Sequence, residues 1–259
     1  QVDVYLDGSL LLDNFVFRTA TPFIDAPADQ LINIGVGTSL SGGVGDTLVN
    51  FPLTLIPGET YIAVANGVLD PSQFEANPDG RSTGFGLFIN AMGQESASGA
   101  NTVDLSVLHG STDAPTVDVV ARNVATLVDD AAYGDFTPYF GVPAAAYVLD
   151  ITDASGTVTV ASFDADLSGL GGGAAAVFAS GFLNPAANQN GKPFGLYAAL
   201  PDGQVVELPS TTASTNARLQ VIHNASDPVA SLVDIYLYGT LLLDDFAFRT
   251  ATPFFDAPA

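Results

Sequence analysis

The 259 residues carry 28 acidic and 6 basic side chains, a net charge of −22 with Lys192 the sole lysine. That balance excludes the positive stripe which nucleic acid or an anionic membrane surface requires. There is no cysteine, so disulfides, thiolate chemistry and cysteine-ligated metals are excluded too. At 47% apolar the chain can build real cores, yet no apolar run is long enough to span a bilayer as a helix.

Val, Thr, Phe, Tyr, Leu and Ile occur in short runs broken by Gly, Pro, Asn and Asp, the pattern of strands and turns. From the start, "VDVYL" (2–6) and "SLLLD" (9–13) flank Asp7-Gly8, a hairpin turn. Further on, strands are expected near 103–109, 116–121, 124–128, 145–152, 157–163, 174–180, 194–200 and 203–208, with turns at "DASG" (153–156) and "PDG" (201–203). No helical period of useful length appears.

The chain repeats itself. Residues 2–28 and 233–259 agree at 21 of 27 positions, with a constant offset of 231. A fainter copy, "VDVVARNVATLVDDAAYGDFTPYFGVP" (117–143), lies between them. "NGVLDP" (66–71) answers "SGFLNP" (180–185), and "FGLF" (85–88) answers "FGLY" (194–197). Upstream, "LSVLHGSTDAPTVDV" (105–119) answers "LQVIHNASDPVASLVDI" (219–235). Modules of roughly 115 residues therefore alternate, A then B. The expected organisation is module A at 1–101 without its first strand, module B at 102–215, and the opening strands of another A at 216–259. The expected fold is all-β: tandem immunoglobulin-like, Greek-key β-sandwich modules.

A sandwich without its first strand leaves an open edge and a strip of exposed core. Val2 and Val4 are the expected acceptor residues at that edge, and Leu219, Val221 and His223 the expected donor strand. The register predicts a longer head-to-tail array of which these residues are a window. Arg18 and Arg249 recur at equivalent positions where module B has Gly134. They are expected to reach a carboxylate at the A–B junction.

His109-Gly110-Ser111-Thr112-Asp113-Ala114-Pro115, leading into Val117-Asp118-Val119, resembles the signature of the domain of unknown function four-three-nine-seven family. His223, Ser226 and Asp227, leading to Val233-Asp234-Ile235-Tyr236, are similar, with two extra residues. Module B departs from the pattern at Val120, where the family favours Tyr. The resemblance implies β-sandwich modules found in tandem in secreted and cell-surface proteins, and no established catalysis.

Three chemistries deserve weighing. His109, Ser111, Asp113 and Asp118 hold the letters of a catalytic triad. They crowd one turn, however, whereas a triad assembles from distant segments and needs an oxyanion site. The bland reading is local backbone bonding by Ser and Asp, with His packed at the strand end. Asp70, Glu75, Asn77 and Asp79 form the best oxygen-rich loop for Ca²⁺, but without the EF-hand spacing. Tyr5, Tyr236 and Tyr238 suit either sugar stacking or cross-strand packing. Asn224-Ala225-Ser226 is a glycosylation sequon.

Taken together, these features lead to the expectation of a non-catalytic extracellular protein, a tandem-repeat filament, stalk or adhesin shaft whose partner is itself. The alternative is an adhesion module that binds a glycan or surface protein through repeat avidity. No cofactor is expected beyond Ca²⁺.

Overall fold

The computed structural model describes residues 1–212 and 216–258. It divides into two compact units, Gln1–Thr212 and Ala213–Ala259. Residue 215, the inner side of the expected 215/216 boundary, lies outside the described residues. No helix among the described residues is long and apolar enough to cross a membrane. The fold is all-β.

The first module contributes β1 (Val2–Leu6), β2 (Ser9–Phe15), β3 (Leu31–Thr38), β4 (Thr47–Thr54), β5 (Ile62–Asn66) and β6 (Gly86–Asn90). Four of these form a sheet in the order β2-β1-β3-β4, while β5 and β6 form a two-stranded sheet. The Asp7-Gly8 turn takes φ of 49° and 84°, the doubly left-handed geometry that matches strand twist and that Asp-Gly tolerates.

The second module runs through β7 (Thr102–Leu108), β8 (Val117–Ala121), β9 (Ala125–Ala131), β10 (Phe140–Pro143), β11 (Ala146–Asp153), β12 (Thr159–Asp166), β13 (Ala174–Ser180), β14 (Gly195–Ala199), β15 (Val205–Leu208) and β16 (Ser210–Thr211). They build two five-stranded sheets, β10-β7-β13-β14-β15 and β16-β12-β11-β8-β9. All eight strands expected in this module are present, and β10 and β16 add to them. Between the sheets lies a core of buried side chains including Val103, Leu105, Val107, Val119, Leu149, Ile151, Phe163, Val177 and Leu196. This is the face-to-face packing of a sandwich.

The second unit holds β17 (Asn216–Leu219), β18 (Leu232–Leu237), β19 (Thr240–Ala247) and β20 (Phe255–Pro258), paired as β17-β20 and β18-β19. Its Tyr238-Gly239 turn repeats the left-handed pair of Asp7-Gly8, with φ of 48° and 82°.

One expectation is corrected here. β1 is not an edge strand, since it pairs with β2 on one side and β3 on the other. Val2 and Val4 therefore cannot receive a further strand. The open position lies in the opposite sheet. In the second module β7 pairs in parallel with β13, whereas β5, the counterpart of β13, pairs with β6 alone. The reason is topological: the first strand of a module crosses to the other sheet before the Val-Asp strand begins.

The core of the first module shows the consequence. Val117, Val119 and Ala121 are buried, but their counterparts Val2, Val4 and Leu6 are only half buried. The cluster of buried core residues comes entirely from the second module.

Candidate functional site

The His109–Pro115 loop leaves β7, enters β8 and is buried almost throughout. His109 Nε2 faces the Pro115 carbonyl oxygen at 3.0 Å, so this nitrogen carries the proton and donates. Burial pulls the imidazole below its usual value, against the opposing pull of that carbonyl. Ser111 Oγ donates to Gly181 O at 2.7 Å and approaches Asp113 Oδ1 at 3.2 Å. Asp113 in turn accepts from Leu183 N, Asn184 N and Asn188 Nδ2 at 2.8–2.9 Å. The serine is thus committed to a backbone carbonyl and the aspartate to backbone and amide donors, while the imidazole bonds to the Pro115 carbonyl. The loop is a knot that ties β7 and β8 to the loop following β13.

The first module grips the same knot from the other side. Asn66 Nδ2 donates to Gly110 O at 3.0 Å. Buried Asn77 donates to both Thr112 O and Ala114 O, and its Oδ1 accepts from Asp79 N and Arg81 N. Asp79 Oδ2 accepts from Thr116 N at 2.6 Å and from Thr116 Oγ1. Asn188, fully buried, accepts from Glu75 N through Oδ1. Phe74 stacks on Phe182 with ring centroids 5.6 Å apart, and Arg81 pairs with Asp135 at 3.2 Å.

The four residues of the expected calcium loop take separate partners. Asp70 caps the short turn Pro71–Gln73 by accepting from Ser72 N. Glu75 faces Asn184 and Asn188, Asn77 spans the knot, and Asp79 holds Thr116. Asp70 is thus held within its own loop while the other three serve separate contacts between segments, and the carboxylates that lie close together among the described residues are others.

Arg18 lies at the junction, as its alternation suggested, but on different partners. Its Nε donates to Ser180 Oγ, Nη1 to Tyr197 Oη at 2.6 Å, and Nη2 to the carbonyls of Ser180 and Pro193. The guanidinium carbon sits 4.3 Å from the centroid of the Tyr197 ring. A carboxylate is reached only through Tyr197, whose hydroxyl donates to Glu207. Burial and that bond to Glu207 raise the phenol, with Arg18 opposing. Arg249 repeats the left-handed backbone of Arg18, with φ of 64° against 63°. It is exposed and lies over Phe248.

The docking is reciprocal. Ser180 and Tyr197 of the second module correspond to Asn66 and Phe88 of the first. There the second module presents Gly134 in place of arginine: a Cβ at that residue would lie 2.8 Å from Phe88 Cε1, and Tyr133 meets Phe88 edge-on at 5.8 Å. Arginine therefore faces tyrosine in one direction and glycine faces phenylalanine in the other. This is the physical content of the A–B alternation.

The aspartate of each Val-Asp motif has a local task. Asp3, Asp118 and Asp234 accept from the backbone N–H of Asn14, Asp130 and Asp245. Those three residues take φ of 48–52°, so each aspartate locks a bulge in the hairpin. Asp3 is further lowered by the Ser41 hydroxyl, its strongest influence. Two carboxylate clusters result among the described residues, Asp118/Asp129/Asp130 and Asp234/Asp244/Asp245. In the second, Asp245 and then Asp234 push Asp244 upward by charge repulsion. These are the carboxylates with ligand atoms close enough to share a cation, and one oxygen in each already serves the bulge.

In the second unit His223 Nε2 faces Ala230 O at 2.7 Å and its Nδ1 accepts from Ala225 N. Asp227 caps the turn Pro228–Ala230 through Val229 N. Ser226 and the sequon residue Asn224 are exposed on this loop. Leu219 and Val221 are half buried. Tyr5 is 4% exposed with its hydroxyl on Ser41, which removes it as a sugar-stacking platform, while Tyr236 and Tyr238 are exposed.

Residues 103–230, running from β7 through the second copy of the signature loop, match the family model described as Domain of unknown function (DUF4397). Over that stretch the chain is similar to the DUF4397 family, the one its signature residues resemble. No curated protein matches the chain, and no solved structure does. In this chain the signature residues His109, Ser111, Asp113 and Pro115 close the junction knot. Sequence reasoning missed Asn66 and Ser180, which bond to Gly110 and to Arg18, and Asn188 and Tyr197, which bond to Asp113 and to Arg18. The paired segments "NGVLDP" and "SGFLNP" were the signal that pointed toward the first two.

Proposed function

We propose that this is a non-catalytic extracellular structural protein, a tandem-repeat filament, stalk or adhesin shaft in which successive modules join head to tail and complete one another's sheets. The observation that carries the reading is the fate of the signature loop. Ser111 and Asp113, the side chains that a nucleophilic mechanism would need, are buried and spent on bonds that close the loop within its own module, and the backbone of the same loop accepts from Asn66 and Asn77 of the preceding module. The hollows support the same view: a void of about 30 Å³ among Leu105, Leu149 and Val177 is lined by apolar side chains, and a more open one of about 260 Å³, bounded by Leu170, Leu200 and Pro201, carries Asp202 as its single titratable side chain. A load-bearing shaft needs stiff joints, and the reciprocal Arg18/Tyr197 and Gly134/Phe88 contacts limit rotation between modules. The net charge of −22 keeps such arrays hydrated and apart.

Immunogold labelling of intact cells with an antibody against Gln1–Thr212 tests this proposal. Label along surface fibres or stalks is the expected result. Label confined to the cell interior overturns it.

A further inference from the structure

The first two modules meet through the same pair of surfaces twice over. Each offers an arm, the segment that follows its Val-Asp hairpin, and a seat, the loop between β5 and β6 or between β13 and β14. Arg18 and Gly134 are equivalent arm residues, and the seats match bond for bond along the backbone. In the second module Phe182 N donates to Lys192 O and Phe194 N to Phe182 O; in the first, Val68 N donates to Thr83 O and Phe85 N to Val68 O. Gly67 and Gly181 take φ of 94° and 89°, and the bridge of Val68 with Gly84 answers that of Phe182 with Pro193. The carbonyls that Arg18 uses, those of Ser180 and Pro193, therefore have counterparts in Asn66 and Gly84.

What differs is the side chains. The seat of the second module adds two hydroxyls for the guanidinium, Ser180 Oγ and Tyr197 Oη. Tyr197 is backed by Glu207, which faces it from β15 and accepts its hydroxyl at 2.9 Å. The seat of the first module has neither hydroxyl. Phe88 stands in place of the tyrosine, and Asn66 spends its amide on Gly110 O. Among the described residues β6 pairs with β5 alone, so no strand like β15 lies beside Phe88. The arms differ to match. Gly134 takes φ of +90°, and a Cβ there would lie 2.8 Å from Phe88 Cε1. Arg18 makes the same left-handed turn at 63°, a conformation that glycine adopts more freely. The side chain, not the backbone, accounts for arginine at this position.

We propose that these residues form a matching code that selects the partner of each module: an arginine arm takes a tyrosine–serine seat, and a glycine arm takes a phenylalanine–asparagine seat. The partner of an A module is thereby a B module, and like modules refuse each other. Two A modules would bring a guanidinium against Phe88, desolvated without the hydroxyls that serve it on the seat of B. Two B modules would bring glycine against Tyr197 and leave Tyr197 and Glu207 facing an empty slot. Discrimination thus comes from the mismatched pairs as much as from the matched ones. The inference rests on the modular-array reading and names what sets the order of its modules.

The test follows two pairs of substitutions in the whole chain by urea unfolding. Tyr197→Phe is expected to raise the constant for the earliest unfolding transition roughly tenfold, the size of one hydrogen bond to a charged group. Arg18→Gly alone does at least as much. Together they convert the first contact into the second kind, and the expected result is recovery: in the Tyr197→Phe background, Arg18→Gly stabilises the chain. The converse pair reads the other seat independently. Gly134→Arg destabilises by itself, and adding Phe88→Tyr recovers part of the loss; if Gly134→Arg alone fails to fold, regained folding in the double variant is that recovery. Residues that merely held the fold would give losses that add. Arg18→Gly that destabilises alike in both backgrounds, or Gly134→Arg that Phe88→Tyr leaves unrecovered, overturns the code. Such a failure leaves the surface-shaft reading standing, since immunogold labelling decides that separately.

Discussion

Arg18 Nη1 reaches Tyr197 Oη at 2.6 Å, joining residues 179 positions apart. The same guanidinium serves Ser180 and Pro193, so four bonds depend on one planar fork. Arg18→Met is expected to cost roughly 2–3 kcal/mol, the range for losing hydrogen bonds to a charged donor. Urea unfolding should split into two transitions, with the first module melting earlier. Arg18→Lys should rescue little, because an ammonium cannot reproduce the fork. Arg249→Met, at an exposed residue, should leave the curve of this chain unchanged. A single unshifted transition for Arg18→Met would sink the junction role.

Asp113 is the acceptor on which the signature loop turns. Asp113→Ala would strand the N–H groups of Leu183 and Asn184 and the amide of Asn188, a loss of about 3 kcal/mol for buried donors left unpaired. Ser111→Ala removes the bond to Gly181 O and should cost about 1 kcal/mol. Chemical denaturation measures both. Equal effects, or a larger one for the serine, would contradict the hierarchy.

His109 makes the fold sensitive to acid. Burial lowers its pKa in the folded state, so the unfolded chain takes up a proton first as the pH falls. The stability that comes from keeping this imidazole neutral is fully present above the unfolded value of about 6.5. It is lost progressively as the pH drops through the lowered folded value. Comparing unfolding free energies of the wild type and His109→Gln over that window should show a steeper acid loss in the wild type. Parallel curves would refute it.

Gly181 is needed for both conformation and space. It takes φ of +89°, and a Cβ there would run into Pro193 O and lie 2.7 Å from Lys192 O and 2.6 Å from Arg18 Nη2. Gly58 has a similar φ of +82° with open space around it. Both alanine variants should be destabilised by more than about 0.5 kcal/mol for backbone conformation. Gly181→Ala should be clearly the worse, by thermal melting, and equal shifts would remove the crowding argument.

Strand content was readable because period-2 alternation and turn residues are local. "TVDVV" and "AAYVLDIT" alternate and became β8 and β11. Phe140–Pro143, four residues ending in proline, offered no alternation and emerged as β10 only through its pairing with β7. The repeat, its offset and the A–B alternation were plain in the residues, as was the weakness of a triad crowded on one turn. The partners of that turn were not. Asn66 and Asn188 meet it from distant segments, and an asparagine that satisfies a buried polar group reads in sequence like any loop asparagine.

The amino-acid sequence by itself determined the all-β class, the repeat spacing and the likeness to the DUF4397 signature, since these rest on spacing and identity along one chain. Only the tertiary structure decided that β1 is a central strand, that Arg18 grips tyrosine rather than a carboxylate, and that the open edge belongs to β5. Those facts depend on which sheet a strand joins after crossing the core. Parallel pairing such as that of β7 with β13 is a contact between segments some seventy residues apart, and it leaves no mark on local pattern.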